Sequence, residues 1–296
     1  MTTIDQCPVC DSATYHEFLK CKDFTVSGEI FTLVKCQQCS FVYTNPRPND
    51  ERLGDYYKSE TYISHTDTKK GLISKLYHFV RSYTIRGKIT LISKFFSNGR
   101  ILDYGCGTGA FLKACQESGW KAVGIEPDPG ARSIAMLSGV KVEPRIDLLS
   151  RVDLQDKFDV ISLWHVLEHV TDLSGTLKFF KENLDPKGKL IIAVPNYESF
   201  DAKNYGEFWA AYDVPRHLYH FSKVTMSDLM HRFGFELTEI KPMKFDGFYV
   251  SMLSEKYKNG KINYLKAFTV GWMSNLKGRG RTQNYSSLIY IFKHRA

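Results

Sequence analysis

Acidic residues almost vanish from the last part of this chain. From position 255 onward, Glu255 stands alone against Lys256, Lys258, Lys261, Lys266, Lys277, Arg279, Arg281, Lys293 and Arg295. Much of the formal net charge of +8 lies there. No RNA- or DNA-binding motif accompanies it, so it reads as a solvated basic face. Long apolar runs are missing too: none reaches the roughly 20 residues that cross a bilayer. Met1-Thr2-Thr3-Ile4-Asp5-Gln6 has neither the basic nor the apolar region of a signal peptide. Internal repeats and low-complexity tracts are absent. These absences predict a cytoplasmic protein with no membrane and no nucleic-acid partner. What is present suffices for one large core plus a small satellite domain: 296 residues, 43% of them apolar.

Of seven cysteines, four form two C-x-x-C knuckles, Cys7-Pro8-Val9-Cys10 and Cys36-Gln37-Gln38-Cys39. Strand-like pieces (Phe18-Leu19, Ile30 to Val34) lie between them. Four thiolates so spaced can close a tetrahedron around zinc, the pattern of a structural zinc ribbon in a reducing compartment. Cys21 is a spare thiol with worse spacing.

The stretch that organises the rest is Ile101-Leu102-Asp103-Tyr104-Gly105-Cys106-Gly107-Thr108-Gly109-Ala110. A strand runs into three glycines at alternate positions and then a helix. Such a turn lets a ligand approach the backbone and aims free helix N–H groups at it. Read as Gly105-x-Gly107-x-x-Ala110, it also fits a dinucleotide fingerprint. Asp103 argues otherwise: a carboxylate at the strand tip suits an ammonium and repels a pyrophosphate. Leu102-Asp103-x-Gly105-Cys106-Gly107-x-Gly109 resembles the first motif of class I S-adenosylmethionine-dependent methyltransferases. That resemblance implies Asp103 at the methionyl ammonium and Gly105, Cys106, Gly107 and Gly109 against the cofactor.

The rest of the chain predicts an α/β fold with a Rossmann-like seven-stranded methyltransferase sheet. Gly71 to Ser97 reads as one long helix, with Leu72, Leu76, Phe79, Val80, Tyr83, Ile89, Ile92 and Phe96 at helical spacing. Strand and helix then alternate. Strands are expected at 100–104, 121–126, near Val142, at 158–164, 190–194, 235–240 and 287–292, the last one antiparallel. Glu126 closes the second strand, where an acid can accept both ribose hydroxyls, and Pro127 follows it. The resemblance also implies Asp147 beside the adenine, and Trp164 and His165 across the cleft. Two inserted helices are expected at about 246–278. The aromatic stretch from Tyr197 to Ser222 reads as a substrate-facing lid, and Tyr56, Tyr57 and Tyr62 as core or pocket. The domains expected are 1–60, the ribbon; 61–98, a helical linker covering the cofactor; and 99–296, the cofactor-binding domain.

Two segments carry candidate chemistry. His165-Val166-Leu167-Glu168-His169 matches an inverted zinc-protease pattern on paper, but its place after a Rossmann-like strand argues against that. It resembles the post-strand-four motif of ubiquinone-biosynthesis O-methyltransferases and small-RNA methyltransferases, where E-x-x-E-H can bind a divalent metal. Here His165 replaces the first glutamate. Asp213 to Ser222 contains Pro215-Arg216-His217-Leu218-Tyr219-His220-Phe221, similar to zinc-ribbon methyltransferases, some of which methylate deoxysugars on carbon. His217, His220 and His169 are the candidate bases, and Arg216 the candidate anchor for a substrate phosphate or carboxylate. The expectation is methyl transfer from S-adenosylmethionine to a small molecule, such as a sugar, that is nucleotide-linked or carrier-bound, with structural zinc. Alternatives are O-methylation of a phenolic or quinone precursor, a non-catalytic cofactor-binding module, and an NAD(P)-dependent oxidoreductase.

Overall fold

The computed structural model describes residues 1–58, 72–150, 156–280 and 282–295, with 72–79 described as backbone alone. Tyr62, Gly71 and Arg281, and the side chains of Leu72, Leu76 and Phe79, lie outside the described residues.

The N-terminal part is antiparallel. Strand β1 (Tyr15–Lys22) pairs with β2 (Ile30–Cys36), and β2 with β3 (Val42–Thr44). A short helix α1 (Asp50–Leu53) follows, its first turn capped by the Asn49 side chain, which accepts from the Arg52 N–H. The long helix α2 (Leu72–Ile92) leads into the main sheet.

That sheet is built from β4 (Arg100–Tyr104), helix α3 (Ala110–Glu117), β5 (Lys121–Ile125), helix α4 (Pro129–Leu137), β6 (Lys141–Glu143), β7 (Phe158–Trp164), helix α5 (Leu173–Asn183) and β8 (Leu184–Pro195). Its strands lie nearly on the predicted positions, because runs such as Val160 to Leu163 are buried on both faces, except that β8 begins at Leu184, six residues before the expected 190. Next come helix α6 (Phe200–Tyr205), β9 (Tyr219–His220), helix α7 (Lys223–Arg232), β10 (Phe235–Pro242), the helical pair α8 (Asp246–Asn259) and α9 (Tyr264–Gly278), and β11 (Ser287–His294). The seven strands run β10-β11-β8-β7-β4-β5-β6. Neighbours from β6 to β8 are parallel, while β11 is antiparallel to both β8 and β10.

The stretch from Tyr197 to Ser222 is not a lid. Its strand β9 completes the N-terminal sheet, Val42 opposite His220 and Tyr43 opposite Tyr219. Tyr205, Trp209, Tyr212 and Phe221 are buried against both parts of the chain. Each buried aromatic of this size favours the closed arrangement by roughly 1.5–3 kcal/mol, so the segment acts as a join. Buried Asp201 fixes it to the C-terminal elements, accepting from Trp209 Nε1 (2.7 Å), Ser274 Oγ (2.5 Å) and Ser286 Oγ (2.7 Å). Helices α8 and α9 pack closely because a Cβ at Gly271 would lie 2.9 Å from the Gly247 carbonyl oxygen.

Candidate active site

The glycine turn leaves β4 with φ of +74° at Gly105, +55° at Gly107 and +74° at Gly109, values that L side chains rarely adopt. Two of the three are also filled by neighbours. A Cβ at Gly105 would lie 2.5 Å from Val166 Cγ2, and one at Gly109 2.8 Å from Ala135 Cβ. At Gly107 a Cβ would meet nothing within 4 Å. The bare backbone there faces open space.

Carboxylates flank that space. Asp103 is buried and accepts from Ser162 Oγ at 2.6 Å. Burial pushes its carboxyl up to about 6, against the pull of the Lys88 ammonium and the Ser162 hydroxyl. Glu126 accepts from the Gly107 N–H at 2.7 Å through one oxygen and from the Asp128 N–H at 2.9 Å through the other. Burial raises its carboxyl, with those two N–H groups opposing. Pro127 lies beyond it, exposed, its carbonyl accepting from Arg132 Nη1. Cys106 is half-buried, its sulfur 2.6 Å from where a Cβ at Gly124 would stand. Asp147 is exposed and paired with Arg145 at 2.8 Å.

Helix α2 closes over the turn. Arg81 Nη2 donates to Thr108 Oγ1 at 2.9 Å. Lys88 places Nζ 4.2 Å from the centre of the Trp164 ring and 5.4 Å from that of Phe111. Burial lowers this ammonium to about 8, with Asp103 and Asp246 opposing. Trp164 Nε1 is buried with no hydrogen-bond partner among the described residues. Sequence reasoning missed Lys88, Arg81 and Ser162. Nothing local marks them, since their partners lie on other elements.

The turn after β7 holds the second cluster. His165 takes a left-handed φ of +58°. Its Nδ1 is 3.4 Å from Glu168 and its Nε2 3.0 Å from Asp246 at the start of α8. Burial opposes its charge, yet the two carboxylates win and raise it to about 10. Both carboxylate oxygens of Glu168 are buried, and among the described residues the ion pair with His165 is their one charged partner, with no hydrogen bond of good geometry. His169 and His217 meet edge to face with ring centres 4.6 Å apart. Glu168, His169 and His217 each offer an atom within 4.8 Å of the others.

The tautomer of His217 follows from its carbonyl partner. His217 Nδ1 lies 2.9 Å from the Ala211 carbonyl and His169 Nδ1 3.1 Å from that of Arg216. A carbonyl only accepts, so the Nδ1–H of His217 donates and its Nε2 keeps a lone pair when neutral, whereas His169 Nδ1 faces both the Arg216 carbonyl and the Tyr57 hydroxyl, which can donate or accept. Burial lowers both imidazoles, that of His217 well below its ordinary 6.5. His220 is buried beside Thr44 Oγ1 (3.3 Å), and burial takes it down to about 3. Arg216 is not a substrate anchor: it is buried and donates to Asp23, Asp213 and the Tyr56 carbonyl. No donor points outward because the ion pairs lie inside the join. Tyr57 reaches this cluster, its hydroxyl 2.9 Å from His169 Nδ1.

At the other end of β3's sheet, Cys7, Cys10, Cys36 and Cys39 bring four sulfurs within 4.8 Å of one another. Cys7 and Cys39 are 3.5 Å apart, as are Cys10 and Cys36. Tetrahedral zinc at about 2.3 Å per sulfur fits such a set. Cys21 is buried elsewhere, in the core between the N-terminal sheet and the join.

A methyltransferase-domain model matches residues 77–240. The ubiquinone biosynthesis O-methyltransferase of Azorhizobium caulinodans is 33% identical over 158 residues, which is 50% of this chain and 62% of that protein. That of Rhodopseudomonas palustris HaA2 is 29% identical over 159 residues, with the same coverage. The chain thus spans less than two thirds of the curated relatives it matches. Among solved structures, magnesium protoporphyrin IX methyltransferase from Synechocystis PCC 6803 with bound SAH aligns with a TM-score of 0.54 at 14% identity, covering 83% of this chain and 100% of that one; this likeness is one of fold. The family match covers more than half of the 296 residues and takes in the glycine turn, both flanking carboxylates and the turn after β7, so the chain belongs to the methyltransferase-domain family.

Proposed function

We propose that this chain transfers a methyl group from S-adenosylmethionine to a small-molecule acceptor. The observation that carries the reading is the open face at Gly107 between Asp103 and Glu126. Asp103 meets the methionyl ammonium, and Glu126, with a lone pair left on each oxygen, accepts the ribose hydroxyls. Gly105, Cys106, Gly109, Pro127 and Trp164 form the walls, and Asp147 lies toward the adenine. A pyrophosphate would meet two carboxylates there, and the antiparallel β11 departs from a dinucleotide fold.

The cofactor supplies an activated methyl, so the chain's task is alignment and proton removal. His217, beside the His169 ring, presents the lone pair of its Nε2, which takes the proton from an acceptor hydroxyl or carbon acid. His220, buried on Thr44, braces them. His165, held between Asp246 and Glu168, fixes the start of α8 against the cofactor cleft. Residues 1–60 form the zinc ribbon, with structural zinc on Cys7, Cys10, Cys36 and Cys39. Of the expected linker 61–98, the described residues from Leu72 onward cover the cofactor, and the described residues of 99–296 bind it. A sugar, C- or O-methylated, is the leading acceptor; the two curated relatives keep a phenolic or quinone precursor in view. The close approach of Glu168, His169 and His217, each with a ligand atom within 4.8 Å of the others, favours a second reading of the same cluster, in which they hold a divalent cation that orients the acceptor.

The test is turnover with labelled S-adenosylmethionine against phenols and nucleotide-linked sugars, with and without added magnesium, beside a thermal shift with S-adenosylhomocysteine. A stabilising shift with methylated product is expected. No shift, with NAD(P)H binding instead, overturns the reading. Turnover that disappears on chelation and returns with magnesium selects the cation form.

A further inference from the structure

Helix α9 turns small residues inward and large apolar ones outward. Ala267, Val270, Gly271, Ser274 and Gly278 pack against the fold, while Leu265, Phe268, Trp272 and Leu276 are 79%, 62%, 53% and 50% exposed. Spaced three, four and four residues apart, these four form one stripe along the helix. Isolated exposed apolar residues are ordinary; four in line are not. The free charges carried by α8 and α9 themselves have one sign. Between residues 244 and 280 the only carboxylates are Asp246 and Glu255. Asp246 pairs with His165, and Glu255 is buried and paired with Lys266. Lys256, Lys258, Lys261, Lys277 and Arg279 are exposed.

We propose that the outer face of α9 seats the protein on an anionic lipid bilayer. The apolar stripe enters the boundary between headgroups and acyl chains, Trp272 lies at headgroup level, and the basic rim meets the lipid phosphates. At 15 residues the helix is about 22 Å long, too short to span and suited to lying in the plane. No described helix is long and apolar enough to cross a membrane. A second copy of the chain is the poorer occupant, because pairing two stripes brings two basic rims together, whereas an anionic surface matches them. The seat lies beside the candidate active site: α8, its partner helix, begins at Asp246, the residue that holds His165, and Phe245 packs on Tyr83 of the covering helix α2.

The test is flotation of the full chain with vesicles of phosphatidylcholine alone and with 30 mol % phosphatidylglycerol, a readout that needs no turnover. Binding to the anionic vesicles alone, weakened by salt, is expected. Phe268→Ser/Trp272→Ser should lower the partition coefficient at least ~10-fold, since each side chain withdraws a large apolar area from water. Lys261→Glu/Arg279→Glu, which leaves the stripe intact, should lower it by a similar factor. Melting temperature and circular dichroism check that both variants fold. Absent binding to anionic vesicles, equal binding to neutral ones, or binding unchanged in folded variants overturns the proposal. So does a wild-type dimer that Phe268→Ser/Trp272→Ser converts to monomer, for then a second copy covers the stripe.

Discussion

Arg216 donates to Asp23 at 3.0 Å across 193 positions of chain, and to Asp213 at 2.7 Å on its own turn. One guanidinium with two carboxylates ties the N-terminal sheet to the segment carrying His217. Removing one member of a buried pair leaves the others desolvated. Arg216→Met should therefore cost about 3–5 kcal/mol in urea unfolding. Burial pushes both carboxyls up, but the Ser27 N–H and Arg216 on Asp23, and Arg216 on Asp213, hold them below the ordinary 3.8. Their stabilisation is present above 3.8 and lost as pH falls through the lower folded values. The variant should lose that acid dependence along with its stability, so its melting temperature should fall less steeply below pH 4.

The three glycines should separate fold from cofactor. Gly105→Ala and Gly109→Ala meet Val166 and Ala135 and strain a left-handed backbone, so both should lower the melting temperature. Gly107→Ala meets no neighbour and costs the fold only the left-handed strain, on the order of 1–2 kcal/mol. Its methyl enters the space assigned to the cofactor, so calorimetry should show a folded protein with S-adenosylhomocysteine binding weakened well beyond tenfold.

His217→Asn should cut kcat by about 10²–10⁴ while leaving S-adenosylhomocysteine affinity unchanged. Burial and the neighbouring His169 keep the His217 imidazole neutral well below 6.5. A base so placed stays competent as pH falls, so the wild-type kcat, measured at saturating S-adenosylmethionine, should hold its plateau below pH 6.5. A wild-type rate that drops with an ordinary histidine profile would point to a different base.

Zinc removal should separate the two ends of the molecule. Elemental analysis should find one zinc per chain, and Cys39→Ser should lose it with a drop in melting temperature. Because β9 hangs on β3 while Asp103, Gly107 and Glu126 lie at or just beyond the ends of β4 and β5 in the main sheet, turnover should fall further than cofactor affinity.

The sequence made the main sheet legible because its strands are short apolar runs between glycine turns and helices. Arg100–Tyr104 and Phe158–Trp164 lie where the residues place them, and Ser222 caps its helix through a local hydrogen bond from the Thr225 N–H. The glycine turn was readable for the same reason: its conformation is written into adjacent residues. The join from Tyr197 to Ser222 was not. Its aromatics read as a lid because nothing nearby covers them, and their partners are strands some 170 residues earlier, Tyr43 opposite Tyr219 and Val42 opposite His220. Arg216 misled for a related reason, since an arginine beside histidines looks free until the fold brings Asp23 to it. Lys88 escaped notice because a lysine within an amphipathic helix ordinarily faces water.

The central claim is that Asp103 and the open backbone at Gly107 hold a positively charged, phosphate-free nucleoside. Isothermal titration with S-adenosylhomocysteine tests it most directly, on wild type and on Asp103→Asn, across pH 5 to 8. The wild type should bind, and its affinity should weaken as Asp103 protonates below about 6. Asp103→Asn, relieved of a buried charge, should fold and bind at least ~10-fold more weakly, without that pH dependence. Binding of equal strength in the two proteins, or none in a folded wild type that instead takes up a dinucleotide, would contradict the account.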